Sequence, residues 1–140
     1  MIRLGANSEY NLATCHPKLQ RIVRLLAQRV PKSMDFKVTC GHRSEADQEA
    51  AFKAGSSTKH FPDSKHNVMP SLAVDLAPYP VDWKDTARLA KLAGYLQAVA
   101  DDLNIEIRWG GDWDGDGKTL DEKLIDMPHF ELTSYELGRP

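Results

Sequence analysis

Helical and alternating apolar periods follow one another along this chain without a regular βαβ rhythm, and that order restricts its fold more than any other feature. Leu19, Ile22, Val23, Leu26 and Val30 recur at helical spacing after Pro17, which suits a first helical turn, and Pro31 ends the run. Phe36, Val38 and Cys40 alternate with polar neighbours, the pattern of a half-buried strand. Ser44 with Asp47 three residues on predicts a capped helix that closes near Gly55. Residues 56–70 are rich in Ser, Lys, Pro and Asn and read as loop. A strand is expected over 72–77, with Leu72, Val74 and Leu76 on one face and Ala73, Asp75 and Ala77 on the other. Leu89, Leu92, Leu96, Val99 and Leu103 form the stripe of a helix over about 83–103. Ile105, Ile107 and Trp109 alternate as a further strand, and 129–132 makes a last short one with His129 and Glu131 on the same face. The class is α+β, with a small, largely antiparallel sheet flanked by helices.

At 140 residues the expectation is a single domain, 1–140, built round one core. A formal net charge of −2 gives no bulk attraction to nucleic acid or anionic lipid. No apolar run approaches the roughly 20 residues that span a bilayer, so membrane insertion is not expected. The opening Met1-Ile2-Arg3-Leu4-Gly5 lacks the apolar region of a secretory signal, which implies synthesis in the cytoplasm. Cys15 and Cys40 have neither zinc-knuckle nor C-x-x-C spacing and are expected as free thiols.

The chemistry concentrates in two segments, Ser64-Lys65-His66 running on to Asp75, and Asp126-Met127-Pro128-His129. Two imidazoles and a carboxylate can hold zinc and leave a coordination position for water, as catalytic rather than structural zinc sites do. Asp126 would then serve as general base towards water and general acid towards a leaving amine. Spacing alone does not separate this from ordinary surface and core residues, because His-x8-Asp is not a diagnostic ligand pattern.

The ordered set of motifs is more specific. Ser64-x-His66 with Asp75, and Asp126-x-x-His129, resemble the zinc peptidases of the D-alanyl-D-alanine carboxypeptidase and dipeptidase group. Within it the chain is most similar to phage endolysins that are L-alanyl-D-glutamate endopeptidases. Asn7-Ser8-Glu9-x-Asn11-Leu12-Ala13-Thr14, Gly41-His42-Arg43-Ser44, Asp75-Leu76-Ala77-Pro78-Tyr79 and Arg108-Trp109-Gly110-Gly111-Asp112-Trp113 carry the likeness over nearly the whole chain. The resemblance implies a hedgehog/D-Ala-D-Ala-peptidase-like fold, zinc held by His66, Asp75 and His129, and Asp126 as catalytic acid/base. It assigns Arg43 to the substrate carbonyl and its oxyanion, and Ser64 to orienting a ligand or the substrate. It further implies a monomer acting on bacterial peptidoglycan during host lysis, made in the host cytoplasm and reaching the wall once the membrane is permeabilised. Two departures stand out. Asn67-Val68-Met69-Pro70-Ser71 replaces the glycine found shortly after the first histidine in many relatives, and the acid is aspartate where the carboxypeptidase branch commonly has glutamate.

Asp112-x-Asp114-x-Asp116-Gly117 reproduces the first half of an EF-hand-like loop, with Lys123 where the bidentate Glu belongs and Asp121 or Glu122 as substitutes. It reads either as a regulatory calcium site or as a solvated acidic turn. Rival functions are a D,D- or L,D-carboxypeptidase on the same scaffold, and a non-catalytic module binding wall or calcium. Trp109 is expected in the core.

Overall fold

The computed structural model describes residues 1–120 and 125–140. Its centre is a four-stranded sheet in which every pairing is antiparallel. The strands are β1 (Phe36–Cys40), β2 (Ala73–Pro78), β3 (Ile107–Trp109) and β4 (His129–Leu132), in the order β1-β2-β4-β3. The helices are α1 (Ala6–Ala13), α2 (Pro17–Arg29), α3 (Glu45–Lys53), α4 (Thr86–Asp102) and α5 (Ser134–Leu137), with 3-10 turns at Lys32–Met34 and Lys65–Asn67.

Register divides the sheet into two chemically distinct faces. Val38 pairs with Leu76, Val74 with Phe130, Ile107 with Leu132 and Trp109 with Phe130. Directly opposed residues share a face, so these side chains form one apolar surface. It packs against α4, whose Leu89, Leu92, Leu96 and Val99 are buried, and α2 packs on α4 in turn. On the opposite face Cys40 pairs with Asp75, Asp75 with His129, Ala73 with Glu131, and Glu131 with Arg108. The alternation predicted over 72–77 therefore holds: one side of β2 faces the core and the other carries functional groups.

The helix predicted over 83–103 begins later, at Thr86, because Asp85 turns its carboxylate onto the backbone N–H of Arg88 and sets the cap there. Its C-terminus also shortens the strand expected from Ile105. Asn104 takes a left-handed φ of 56°, and Asn104 and Ile105 donate to the carbonyls of Asp101 and Ala100, a Schellman motif. Ile105 is thereby spent on closing the helix, and β3 starts at Ile107. Helix α3 follows expectation: Ser44 Oγ accepts from Asp47 N, and Gly55 at φ 81° closes the end with Ser56 donating to Ala51. Helix α1 carried no apolar stripe, burying only Ser8 and Leu12, and was not visible in the pattern. Cys15 and Cys40 are free thiols, as expected. Trp109 packs partly buried against the core. No helix among the described residues is long and apolar enough to cross a membrane.

Leu96 is almost fully buried in the layer joining α4 to the sheet and α2. Leu96→Ala should destabilise the fold by about 2–5 kcal/mol, read as a lower urea midpoint at unchanged m-value.

Candidate functional site

Asp75 lies at the middle of the functional face, in an inner strand and opposite His129. One oxygen, Oδ1, is 3.1 Å from Nε2 of His66 and 3.2 Å from Nδ1 of His129. The two imidazole rings are 5.1 Å apart and nearly edge-to-face. Residues remote in sequence thus aim two nitrogens and one oxygen at a common point.

Each ring is fixed from behind. Nδ1 of His66 donates to the carbonyl of Gly41 at 2.7 Å, leaving Nε2 to face Asp75. Its backbone sits in the 3-10 turn that Ser64 caps, with Ser64 Oγ accepting from His66 N. Asn67 locks this turn: its oxygen accepts from Ser64 N and its amide donates to the carbonyl of Arg43. A Cβ on Gly41 would collide with the Asn11 carbonyl and Thr14 Oγ1, so only glycine lets this carbonyl reach His66. His129 leans on the other side, with Nε2 2.8 Å from Oε1 of Glu131 and the Trp113 ring 5.5 Å away.

Charges follow this geometry. Burial works against protonation of both histidines, but the Asp75 carboxylate outweighs it and raises their pKa values. Burial likewise opposes the charge on Asp75, and the two imidazoles overcome it, holding the carboxyl well below its ordinary range. A half-buried carboxylate thus stands between two imidazoles. These two nitrogens and one oxygen are donors of the kind zinc accepts, and hydrogen bonds behind each ring fix its orientation. Cys40, expected only as a free thiol, joins the neighbourhood: ligand atoms of Cys40, His66 and Asp75 lie within 4.8 Å of one another. Its sulfur is 3.8 Å from His66 Nδ1, the nitrogen already committed to Gly41. The thiol therefore borders the cluster from the side away from His129.

Asp126 stands beside the cluster, Oδ2 4.0 Å from His129 Nδ1, and its side chain is 43% exposed against 14% for Asp75. Burial and the nearby Asp75 charge raise its pKa above the usual carboxylate value. Its backbone is stitched to the end of β3: Asp126 N donates to Gly110 O, and Gly110 N to His129 O. Trp109 Nε1 donates to Met127 O at 2.7 Å. Arg43 NH2 is 3.8 Å from Asp75 Oδ2, while NH1 donates to the buried Gln48. Arg43, His66, Asp75, Asp126 and His129 line a cleft of about 590 Å³ whose wall also includes Lys59, Trp83 and Trp113.

The acidic loop also converges. Carboxylate oxygens of Asp112, Asp114 and Asp116 lie within 4.8 Å of one another. Asp112 Oδ2 accepts from Gly117 N, while its buried Oδ1 has no hydrogen-bond partner among the described residues. Gly115 and Gly117 supply the positive φ values the turn needs. Asp121, Glu122 and Lys123 lie outside the described residues.

Sequence reasoning assigned no role to Gln48 or Glu131. Glu131 had a signal, since alternation puts it on the face of His129. Gln48 had none, because its importance comes from contacts across loops: Arg43 and Asn67 donate to its oxygen, and its amide donates to Ser57 and to the Lys59 carbonyl.

A histidine–aspartate–histidine cluster on a sheet face, with a further carboxylate and an arginine along a cleft, is the arrangement of a hydrolytic centre. The chain belongs to the phage L-alanyl-D-glutamate peptidase family, whose model matches residues 1–133. It is 32% identical over 136 residues to the L-alanyl-D-glutamate peptidase of Escherichia phage T5, covering 93% of this chain and 97% of that protein. The crystal structure of the Serratia marcescens L-Ala D-Glu endopeptidase ChiX superposes with a TM-score of 0.71 at 31% identity, covering 96% of this chain and 93% of that one. The expected α+β fold with its antiparallel sheet is thus the fold of this endopeptidase.

A Cβ at Gly110 would strike the Asp126 carbonyl. Gly110→Ala should displace Asp126 and lower peptidase activity by up to about 100-fold with far-UV circular dichroism retained.

Proposed function

We propose that this chain is a zinc-dependent endopeptidase that hydrolyses the L-alanyl–D-glutamate bond in the stem peptide of bacterial peptidoglycan, with His66, Asp75 and His129 as the metal ligands. The observation that carries it is the approach of two imidazole nitrogens, from a 3-10 turn and a strand, to one oxygen of Asp75 at 3.1 and 3.2 Å. Family membership and the activities for which the T5 and ChiX proteins are named support the bond assigned. Zinc at this point supplies Lewis-acid polarisation of the scissile carbonyl and acidifies water.

The chain's own groups do the rest. Asp126, exposed to the cleft and raised in pKa, takes a proton as water adds to the carbonyl carbon of L-alanine. It returns that proton to the amide nitrogen of D-glutamate as the C–N bond breaks, giving one new carboxylate and one new amine. Arg43, braced by Gln48, presents a guanidinium to the charge that develops on the carbonyl oxygen. Ser64 acts through the backbone, fixing the turn that carries His66. In this reading the protein acts as a monomer on the wall after the host membrane is breached.

Purified peptidoglycan digested by the enzyme should release fragments with C-terminal L-alanine and N-terminal D-glutamate, identified by mass spectrometry. Chelation should stop the reaction and zinc restore it, and Asp126→Ala should lower the rate by about 100-fold or more. Release of terminal D-alanine would instead indicate a carboxypeptidase, and near-normal activity of Asp126→Ala would remove its assigned role.

We also infer that the Asp112–Asp116 loop takes calcium, on the strength of its three converging carboxylates and the buried Asp112 oxygen that has no partner among the described residues. Calorimetric titration should give calcium-specific heat in the wild type that Asp114→Ala abolishes; no heat in the wild type leaves only a solvated turn.

A further inference from the structure

We propose that Glu131, clamped by Lys65 and Arg108, is a positioning residue that fixes the tautomer and orientation of His129 and thereby sets how tightly the His66–Asp75–His129 cluster holds its metal. The inference rests on the metal-binding reading above and extends it to residues outside the ligand set.

Strand alternation places Glu131 two residues beyond His129 on the same face, and register places Arg108 of β3 directly across from it. The carboxylate divides its two oxygens between two tasks. Oε2 receives Arg108 NH2 at 2.9 Å and lies 3.0 Å from Lys65 Nζ, and the same ammonium also donates to the Leu132 carbonyl. Oε1 faces Nε2 of His129 at 2.8 Å. With both cations on Oε2, the other oxygen is free to accept from the imidazole. Glu131 is buried, so it swings little and the contact persists.

The consequence is a defined tautomer. A carboxylate oxygen accepts, so Nε2 of His129 keeps its hydrogen, and Nδ1, which faces Asp75 Oδ1, is the nitrogen left to bind a metal. His66 shows the opposite arrangement, since its Nδ1 donates to a carbonyl that can only accept, and Nε2, facing Asp75, is the nitrogen left to bind a metal. With a metal in place, the two histidines, held in opposite tautomers, would offer their lone pairs to one point. A carboxylate behind a metal-binding imidazole also raises its basicity as a ligand. Arg108 stacks 5.4 Å over Trp113, whose ring stands 5.5 Å from His129, so the clamp and the face of the imidazole are coupled through one aromatic group.

A simple salt bridge joining β3, β4 and the Lys65 turn would stabilise the fold without touching metal affinity, and the test separates the two roles. Zinc affinity is measured by competition with a chromophoric chelator on the purified full chain, alongside thermal melts of the metal-free protein. Glu131→Gln keeps the shape and removes the charge; it should weaken zinc binding by roughly 10–100-fold, and Glu131→Asp should recover part of that loss. Arg108→Gln, which leaves Lys65 in place, guards against a Glu131 variant that fails to fold and should weaken binding by more than about twofold. Nitrogen-15 spectra of the zinc-loaded wild type should show His129 bound through Nδ1 and protonated at Nε2. Unchanged affinity in folded Glu131→Gln, or binding through Nε2, would overturn the proposal. If the wild type itself takes up no zinc, or His129→Ala binds it as well as the wild type does, the ligand assignment fails and this inference goes with it.

Discussion

The pairing of β2 with β4 is the constraint on which the rest depends. Ala73, Val74 and Asp75 face Glu131, Phe130 and His129 in turn. Because side chains alternate, one register sends Val74 and Phe130 into the core and Asp75 and His129 into the cleft together. A slip of one residue would exchange the two sets, burying a carboxylate and an imidazole under α4 and exposing Phe130. Hydrophobic burial on one side of the sheet thus enforces the chemical alignment on the other. Stability and site geometry are two results of a single choice of register.

Polar groups brought in by loops complete what the strands begin. His66 arrives on a 3-10 turn capped by Ser64 and locked by Asn67, and Asp126 on a turn laced to Gly110. Glycine at 41 and 110 lets backbone carbonyls approach where a side chain would stand. After His66, Asn67 bonds to Ser64, Arg43 and Gln48 at once and holds the turn to the cleft wall.

Much of this was legible in the sequence. Alternation over 72–77 and 129–132 gave both faces of the inner strands, and Ser44 with Gly55 bounded α3, because caps and periods are local signals. The motif set pointed to the family that the whole-chain match bears out. Local signals also explain the failures. Helix α1 buries only a serine and a leucine, which leaves no stripe to read. The start of α4 and of β3 depended on which of several polar residues wins a cap, Asp85 at one end and Asn104 at the other. Convergence of His66 with Asp75, and the bracing of Arg43 by Gln48, are long-range facts that no spacing encodes.

The two histidines use different nitrogens, and this makes them unequal partners. Nδ1 is one bond from the ring carbon that joins the side chain to its backbone, whereas Nε2 sits at the far tip of the ring. An ion held as proposed would therefore sit closer to the backbone of β4 than to that of the turn bearing His66. In shape, asparagine imitates the inner nitrogen and glutamine the outer one, so neither amide is interchangeable between the two positions. The sheet serves as the short arm of the grip and the loop as the long one.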